Sequence, residues 1–331
     1  MKYTFLYFLL ISLLISTSCK KDDFSDSNAD LSGIDFKQEM RNFVQGISTY
    51  SKSIKAGMLI IPQNGHQILT QNGEPQGPLA TSYITAIDGI GREDLFYGYD
   101  NDNTPTKASD QNEMLPFLNI AKDHQVKVLV TDYCSNQSYM DDSYTKNKAK
   151  GFISFAADHR ELDHIPAYPV KPYAENNQNI TNLSAAQNFL YVLNTASYTS
   201  KAAFLDAVKA TNYDAIIMDL FFNDIAFSNT EIQSLKTKAN GGKRLVICYM
   251  SIGEAEDYRY YWNDTWKSNK PAWLEKENPE WQGNYKVYYW NKEWQNIIYG
   301  NDQSYVKKIT DAGFDGLYLD IIDAFDYFEN K

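Results

Sequence analysis

The chemistry available to this chain comes mainly from carboxylates that directly follow short apolar runs. In GFDGLYLDIIDAF, residues 313–325, the stretch Gly316-Leu317-Tyr318-Leu319 ends in Asp320, with Asp323 just beyond. A carboxylate beside a buried strand is costly to desolvate, so it opens onto solvent, a partner or a ligand. Asp323 could equally cap a following helix. The arrangement recurs at Gln63-Asn64, Asp88, Glu93, Asp132-Tyr133, Asp158, Asn194, Asp219 and Glu254. Paired carboxylates working without a metal are the equipment of glycoside hydrolysis, one as acid and the other as nucleophile or base. Other chemistries are poorly supplied. The four histidines (His66, His124, His159, His164) form neither H-x-H nor H-E-x-x-H, so no metal site is expected. There is no G-x-S-x-G elbow and no P-loop, and no cofactor is expected.

These groups need strands beneath them. Apolar runs suited to buried strands lie at 57–62, 82–87, 126–131, 151–157, 189–193, 213–218, 243–250 and 316–319. Helical stripes lie at 35–54, 112–124, 199–211, 229–240 and 302–312. Gly241-Gly242 and Gly313 read as stops for the last two. Strands alternating with helices give an α/β chain, and eight such units fit a (β/α)8 TIM barrel with its active site at the C-terminal mouth of the strands. An open doubly wound sheet is the alternative, but Gly89-Ile90-Gly91 lacks the third glycine of a dinucleotide fingerprint. After the seventh predicted strand comes a long segment, 254–299, that holds all six tryptophans. It is far longer than an ordinary βα connection. Most of its tryptophans are expected to form a small core of their own, with one or two, Trp262 among them, facing the cleft.

The chain has 331 residues, is 43% hydrophobic and carries a net charge of −11, enough for one large core and a poor match for a phosphate backbone. Such a surface suits a neutral or cationic ligand, and no nucleic acid partner is expected. Residues 1–18 have the anatomy of an export signal: Lys2, an apolar stretch too short to span a bilayer comfortably, then Ser16-Thr17-Ser18. Small residues immediately before Cys19 resemble the lipobox of bacterial lipoproteins. Lipidation at Cys19 is therefore expected, with 19–33 as a polar tether and 34–331 as a single domain. The product would be an exported, membrane-anchored lipoprotein, periplasmic or at the cell surface, touching the membrane through its lipid only. Cys134 and Cys248 are expected as buried free thiols.

Several longer motifs resemble one family. VICYMSIGEAEDYR (246–259), the PxWL at 271–274, the aromatic stretch 281–294 and GFDGLYLDIIDAF are similar to the endo-α-1,4-polygalactosaminidase family, glycoside hydrolase family 114, as are IIPQNG (60–65), AIDGIGREDLFY (86–97) and VTDY (130–133). The resemblance implies a (β/α)8 barrel that cleaves partly deacetylated, cationic galactosaminogalactan-type polysaccharide. By motif, the nucleophile-type aspartate falls on Asp320 and the acid/base-type glutamate on Glu93. Glu254, Asp219 and Asp323 are alternative catalytic or substrate-orienting groups. Gln63, Asn64, Asp88, Asp132, Tyr133, Tyr249, Arg259 and Trp262 are candidate sugar contacts. Retention is the expected stereochemistry, which needs the carboxyls roughly 5 Å apart, against roughly 6.5–9.5 Å for inversion. One departure stands out: the IIPQNG, DGxxxE and DY segments, which in the family follow GFDG, here precede it, as in a circular permutation. A non-catalytic carbohydrate-binding barrel and a hydrolase of another envelope polysaccharide are the alternatives.

Overall fold

Most of the apolar runs become short parallel strands, and the stripes become helices laid against them. The computed structural model describes residues 31–331, so the export signal and Cys19 lie outside the described residues. In chain order the elements are α1 (Phe36–Ile54), β1 (Leu59–Pro62), α2 (Thr81–Ala86), β2 (Gly89–Glu93), α3 (Ala108–Asp123), β3 (Lys127–Tyr133), α4 (Gln137–Lys150), β4 (Ile153–Ala157), β5 (Phe189–Tyr191), α5 (Lys201–Lys209) and β6 (Ala215–Met218). A two-residue hairpin, β7 (Phe221–Phe222) and β8 (Ile225–Ala226), precedes α6 (Asn229–Leu235), β9 (Leu245–Ser251), β10 (Glu254–Glu256), β11 (Leu274–Glu277) and β12 (Asn284–Val287). The chain ends with α7 (Lys292–Ile298), α8 (Tyr305–Ala312), β13 (Gly316–Asp320) and α9 (Ala324–Glu329). Residues 34–331 cluster as one unit.

The fold is α/β with a parallel central sheet. Strands run in the order β1-β13-β9-β6-β5, and a second parallel sheet runs β2-β3-β4. The two meet at β1 and β2, where Asp88 N donates to Ile60 O (2.8 Å) and Asn64 N to Gly91 O (2.9 Å). At the other end β4 lies beside β5, with Phe155 and Phe189 rings 6.0 Å apart. No ladder joins that pair among the described residues, so the strands do not form one hydrogen-bonded closed sheet. The helices start and stop on local chemistry. Asp35 accepts from Gln38 N to open α1, Ser228 and Glu231 form a capping box on α6, and Gly313 at φ +93° ends α8. Met40, Phe43, Val44 and Ile47 make the buried stripe of α1, each worth about 1.5–3 kcal/mol on burial. Cys134 and Cys248 are buried free thiols.

Two expectations are corrected. The run 82–87 is helix α2, not a strand, and the second strand is the glycine-bearing Gly89–Glu93. In α2, Tyr83 and Ile84 are buried while Ser82 and Thr85 are exposed, which is a helical face and not strand alternation. The glycines that read as loop serve close approach instead. A Cβ on Gly91 would lie 2.0 Å from Tyr318 Oη of β13, and one on Gly89 2.8 Å from Leu183. Gly91→Ala should therefore destabilise the chain by about 1–3 kcal/mol through overpacking. Urea unfolding indistinguishable from wild type would refute that account. Second, α6 stops at Leu235, and Gly241-Gly242 belong to a later turn closed by Lys238 N to Gly242 O. Lys238 is buried and its Nζ lies 2.9 Å from Asp214, which draws the chain off the helix path.

The tryptophan-rich segment folds into its own antiparallel sheet, β10-β12-β11, closed by α7. Trp273 and Trp294 are buried with rings 5.0 Å apart, and Trp294 Nε1 donates to Ile252 O. Trp262 packs between Trp266 and Tyr285. Trp281 alone among the six is 59% exposed.

Candidate active site

One amide organises the mouth of the strands. Gln63, directly after β1, is 3% exposed, and its Nε2 donates to Glu93 Oε2 and to Asp320 Oδ1, each at 2.9 Å. Tyr191 OH donates to Gln63 Oε1 (3.0 Å), which fixes the amide's orientation. Two such bonds from one nitrogen hold the two carboxyl oxygens within about 6 Å, and about 5 Å apart if they take the two amide hydrogens. Each acid has a tyrosine of its own: Tyr133 OH donates to Glu93 Oε1 and Tyr249 OH to Asp320 Oδ2, both at 2.6 Å. Asn64 Nδ2 adds a third donor to Glu93 (2.9 Å). These groups come from the C-terminal ends of β1, β2, β3, β5, β9 and β13, although Glu93 and Asp320 are far apart in sequence.

The backbone is forced at this point. Asn64 sits at φ +61° and Ile321, immediately after Asp320, at φ +60°. Asparagine tolerates the left-handed region, but a β-branched residue there is strained by about 1–2 kcal/mol. Gly253 lies against the turn, since a Cβ on it would meet Ile321 O at 2.1 Å. A strained turn held by its surroundings is what aims Asp320.

Burial, and then the charge of Glu93, push the Asp320 carboxyl up to about 8. Two carboxylates this close cannot both ionise freely, so the pair keeps one proton through neutral pH. Burial also pushes Asp323 up to about 6, with Asp326 adding to the rise and Arg92 opposing it. The Tyr133 and Tyr249 hydroxyls are raised well above their ordinary value by burial and then by the neighbouring acids, so both stay protonated donors.

The pair opens into a cavity of about 570 Å³, whose walls include Asp219, Glu254, Asn284 and Trp281. Asp219 and Glu254 reach it already partnered. Arg259 Nη1 lies 2.7 Å from Asp219, and Arg259 Nε 2.6 Å from Glu256. Glu254 takes Lys286 Nζ (3.2 Å) and Asn278 Nδ2 (2.9 Å). Arg259 is thus tied to two acids, and Trp262 faces a neighbouring cavity of about 610 Å³ that shares Asn194, Asp219, Tyr258 and Arg259 with the first. A third cavity, about 670 Å³, shares Asn64, Glu93 and Asp323. Asp323 stands at the N-cap position of α9 but makes no side-chain cap bond.

Two candidate contacts are corrected. Asp132 is fully buried and accepts from Phe96 N, Tyr97 N, Ser143 Oγ and Asn147 Nδ2. Successive residues of a strand point to opposite faces, so Tyr133 turns to the cavity and Asp132 to α4. Asp88 precedes β2 at the N-terminal end of the strands, where it accepts from Ile60 N and pairs with Lys52 (3.1 Å), away from the mouth. Sequence reasoning also passed over three contributors. Tyr191 carried no titratable signal. Trp281 was one of six indistinguishable tryptophans. Arg160 holds Asp94 at 2.9 Å and lies 3.9 Å over the Tyr133 ring.

Residues 170–331 match the model of glycoside-hydrolase family GH114. An uncharacterized protein of Methanocaldococcus jannaschii is 42% identical over 156 residues, 46% of this chain and 42% of that one. An uncharacterized protein of Thermotoga maritima is 34% identical over 144 residues, 44% and 41% of the two chains. One of Deinococcus radiodurans is 36% identical over 127 residues, 38% and 39%. The chain therefore spans less than half the length of these relatives.

Proposed function

We propose that this chain, whose residues 170–331 belong to glycoside-hydrolase family GH114, cleaves α-linked amino-sugar polysaccharide with Glu93 and Asp320 as its working pair. The observation that carries the reading is the Gln63 amide bonded to both carboxylates at 2.9 Å. A separation of about 5 Å is the retaining geometry. Asp320 attacks the anomeric carbon while Glu93 gives its proton to the leaving oxygen. Glu93 then takes a proton from water, which releases the sugar from Asp320. The resting proton favours a second reading in which the two roles are exchanged, because the raised carboxyl is Asp320. Azide rescue separates them: replacing the nucleophile yields a glycosyl azide of inverted configuration, and replacing the acid/base one of retained configuration.

The substrate class rests on charge. Asp94, Asp110, Glu113 and Asp326 line the cavity on one side of the pair, and Asp224, Asp257 and Asp264 the one on the other. Cationic amino sugars would be drawn to both sides, which suits internal cleavage of a long chain. In this reading β1–β6, β9 and β13 are the wall of a (β/α)8 barrel. The closeness of α1 to α9, with Phe36 and Phe328 rings 5.6 Å apart, is what a permuted order would require. Export and lipidation at Cys19 would put the enzyme at the envelope. Digestion of a glycan panel should release products from partly deacetylated α-1,4-galactosaminan, and NMR should show the α-anomer first. Failure to cut any panel member would overturn the assignment.

Because the general acid depends on the shared proton, kcat/KM should fall as pH rises through about 8. In Gln63→Leu the donor common to both carboxyls is gone. Ionisation becomes harder, so the alkaline limb should move to higher pH while kcat drops about 10–100-fold. A limb that stays put in that variant would show that the amide does not govern the pair.

A further inference from the structure

Asp158, His159 and His164 lie on the loop after β4, on the same side of the strands as the cavity, and take no part in the chemistry above. One ligand atom from each falls within 4.8 Å of the others. His164 Nε2 is 3.1 Å from Asp158 Oδ2, and His159 Nδ1 is 3.5 Å from Asp158 Oδ1. Two ligands held about 2.0–2.1 Å from a tetrahedral ion are about 3.3 Å from each other. Each histidine already stands near that distance from Asp158, but from different oxygens of the carboxylate, so a small turn of the carboxylate brings both onto one ion. The side chain of His159 is 58% exposed and can turn to close the third separation.

The surroundings of His164 supply an independent sign. Asp163 Oδ1 faces its Nδ1 at 2.6 Å, and Ser197 Oγ donates to Asp163 Oδ2 at 2.7 Å. A hydrogen-bonded carboxylate behind an imidazole is how proteins fix a ligand histidine: the rear nitrogen keeps its proton and the front nitrogen presents its lone pair. Here the front nitrogen is Nε2, and it points at Asp158. Two imidazoles and a carboxylate suit a borderline ion such as zinc and not magnesium or calcium, which prefer all-oxygen sites.

We propose that Asp158, His159 and His164 bind one divalent transition-metal ion, with Zn²⁺ as the reference ion and a fourth position open to water. Arg160, Glu161 and Leu162, which line the active-site cavity, lie between the ligands in sequence. An ion here ties down the loop that forms that wall. This inference does not depend on the identity of the sugar or on the roles of Glu93 and Asp320.

Titration of the metal-stripped chain with zinc chloride, followed by calorimetry, should show one saturable site. His164→Ala and His159→Ala should each weaken it about 100-fold or more, and Asp163→Asn by about 10–100-fold. His124→Ala, an exposed histidine on α3's C-terminal side, should leave it unchanged. Since His159 is exposed, its replacement does not threaten folding, and zinc should raise the melting temperature of wild type but not of His159→Ala. Absence of a saturable site, or a site that survives both histidine substitutions, would overturn the proposal. His164 would then be an imidazolium bridging Asp158 and Asp163.

Discussion

Asp320→Asn should lose about 10⁴-fold or more of turnover while melting at a higher temperature than wild type at pH 8. The first half follows from position: Asp320 is one of two carboxyls that Gln63 holds together, and an amide can neither attack nor carry the proton. The second half follows from burial and from Glu93, which push the Asp320 carboxyl up to about 8. A carboxyl whose folded-state affinity for a proton exceeds its unfolded value stabilises the fold while protonated. That contribution is complete below about pH 4 and is lost as pH climbs through about 8. Asparagine never ionises, so the variant escapes the loss. Its advantage should be small at pH 5 and a few kcal/mol at pH 8. The amide carbonyl introduced by the substitution can still accept from Gln63 or Tyr249, so the pocket keeps its shape. Calorimetry at the two pH values, beside a turnover assay, decides the matter. A variant less stable than wild type at pH 8 would mean that the two acids do not oppose each other.

How far this site could be read from sequence depended on which physical signal each residue carried. Asp320 was legible because an apolar, glycine-flanked run ends in a charge, the pattern of a strand running out towards a cavity, although the run before Asp132 ends in a charge that is fully buried. Glu93 was legible as a residue but not as the end of a strand. Gly89 and Gly91 look like loop, and only the Tyr318 side chain crossing from β13 explains why β2 must do without a Cβ at Gly91. The same shift of one element put Asp88 at the wrong end of the strands. Asp132 and Tyr133 were read as a unit, although the pleat obliges neighbours to face opposite ways. Tyr191 was invisible because its role is to orient an amide, which leaves no mark in composition. The Asp158–His159–His164 cluster escaped for a related reason. Ligand spacings on helices and strands are periodic, whereas this cluster is drawn together by one irregular loop, and motif logic expected no metal.

The other large effect concerns the charge that keeps the far wall of the cavity intact. Arg259 is 8% exposed, with Nε 2.6 Å from Glu256 and Nη1 2.7 Å from Asp219. Glu256 is 1% exposed. Burial raises Asp219 above the ordinary carboxylate range even with the guanidinium beside it. Arg259→Met keeps much of the apolar stem but leaves two enclosed carboxylates facing each other with no cation. Removing one partner of a buried pair costs about 3–5 kcal/mol, which corresponds to a melting temperature lower by roughly 4–8 °C for a chain of this size. The sign of the pH dependence is fixed as well. With the cation gone Asp219 loses the charge that opposes its upward shift and holds its proton more tightly when folded, so the deficit should be modest at pH 5 and grow as pH rises towards 8. Adding Asp219→Asn and Glu256→Gln to Arg259→Met should return most of the stability, because the three charges act as one unit. Asp219→Asn by itself should lower kcat/KM by less than about 100-fold, within the span of a supporting contact and well short of the Asp320→Asn loss. Thermal melts of Arg259→Met that overlay wild type at pH 8 would show that solvent, and not the guanidinium, neutralises that wall.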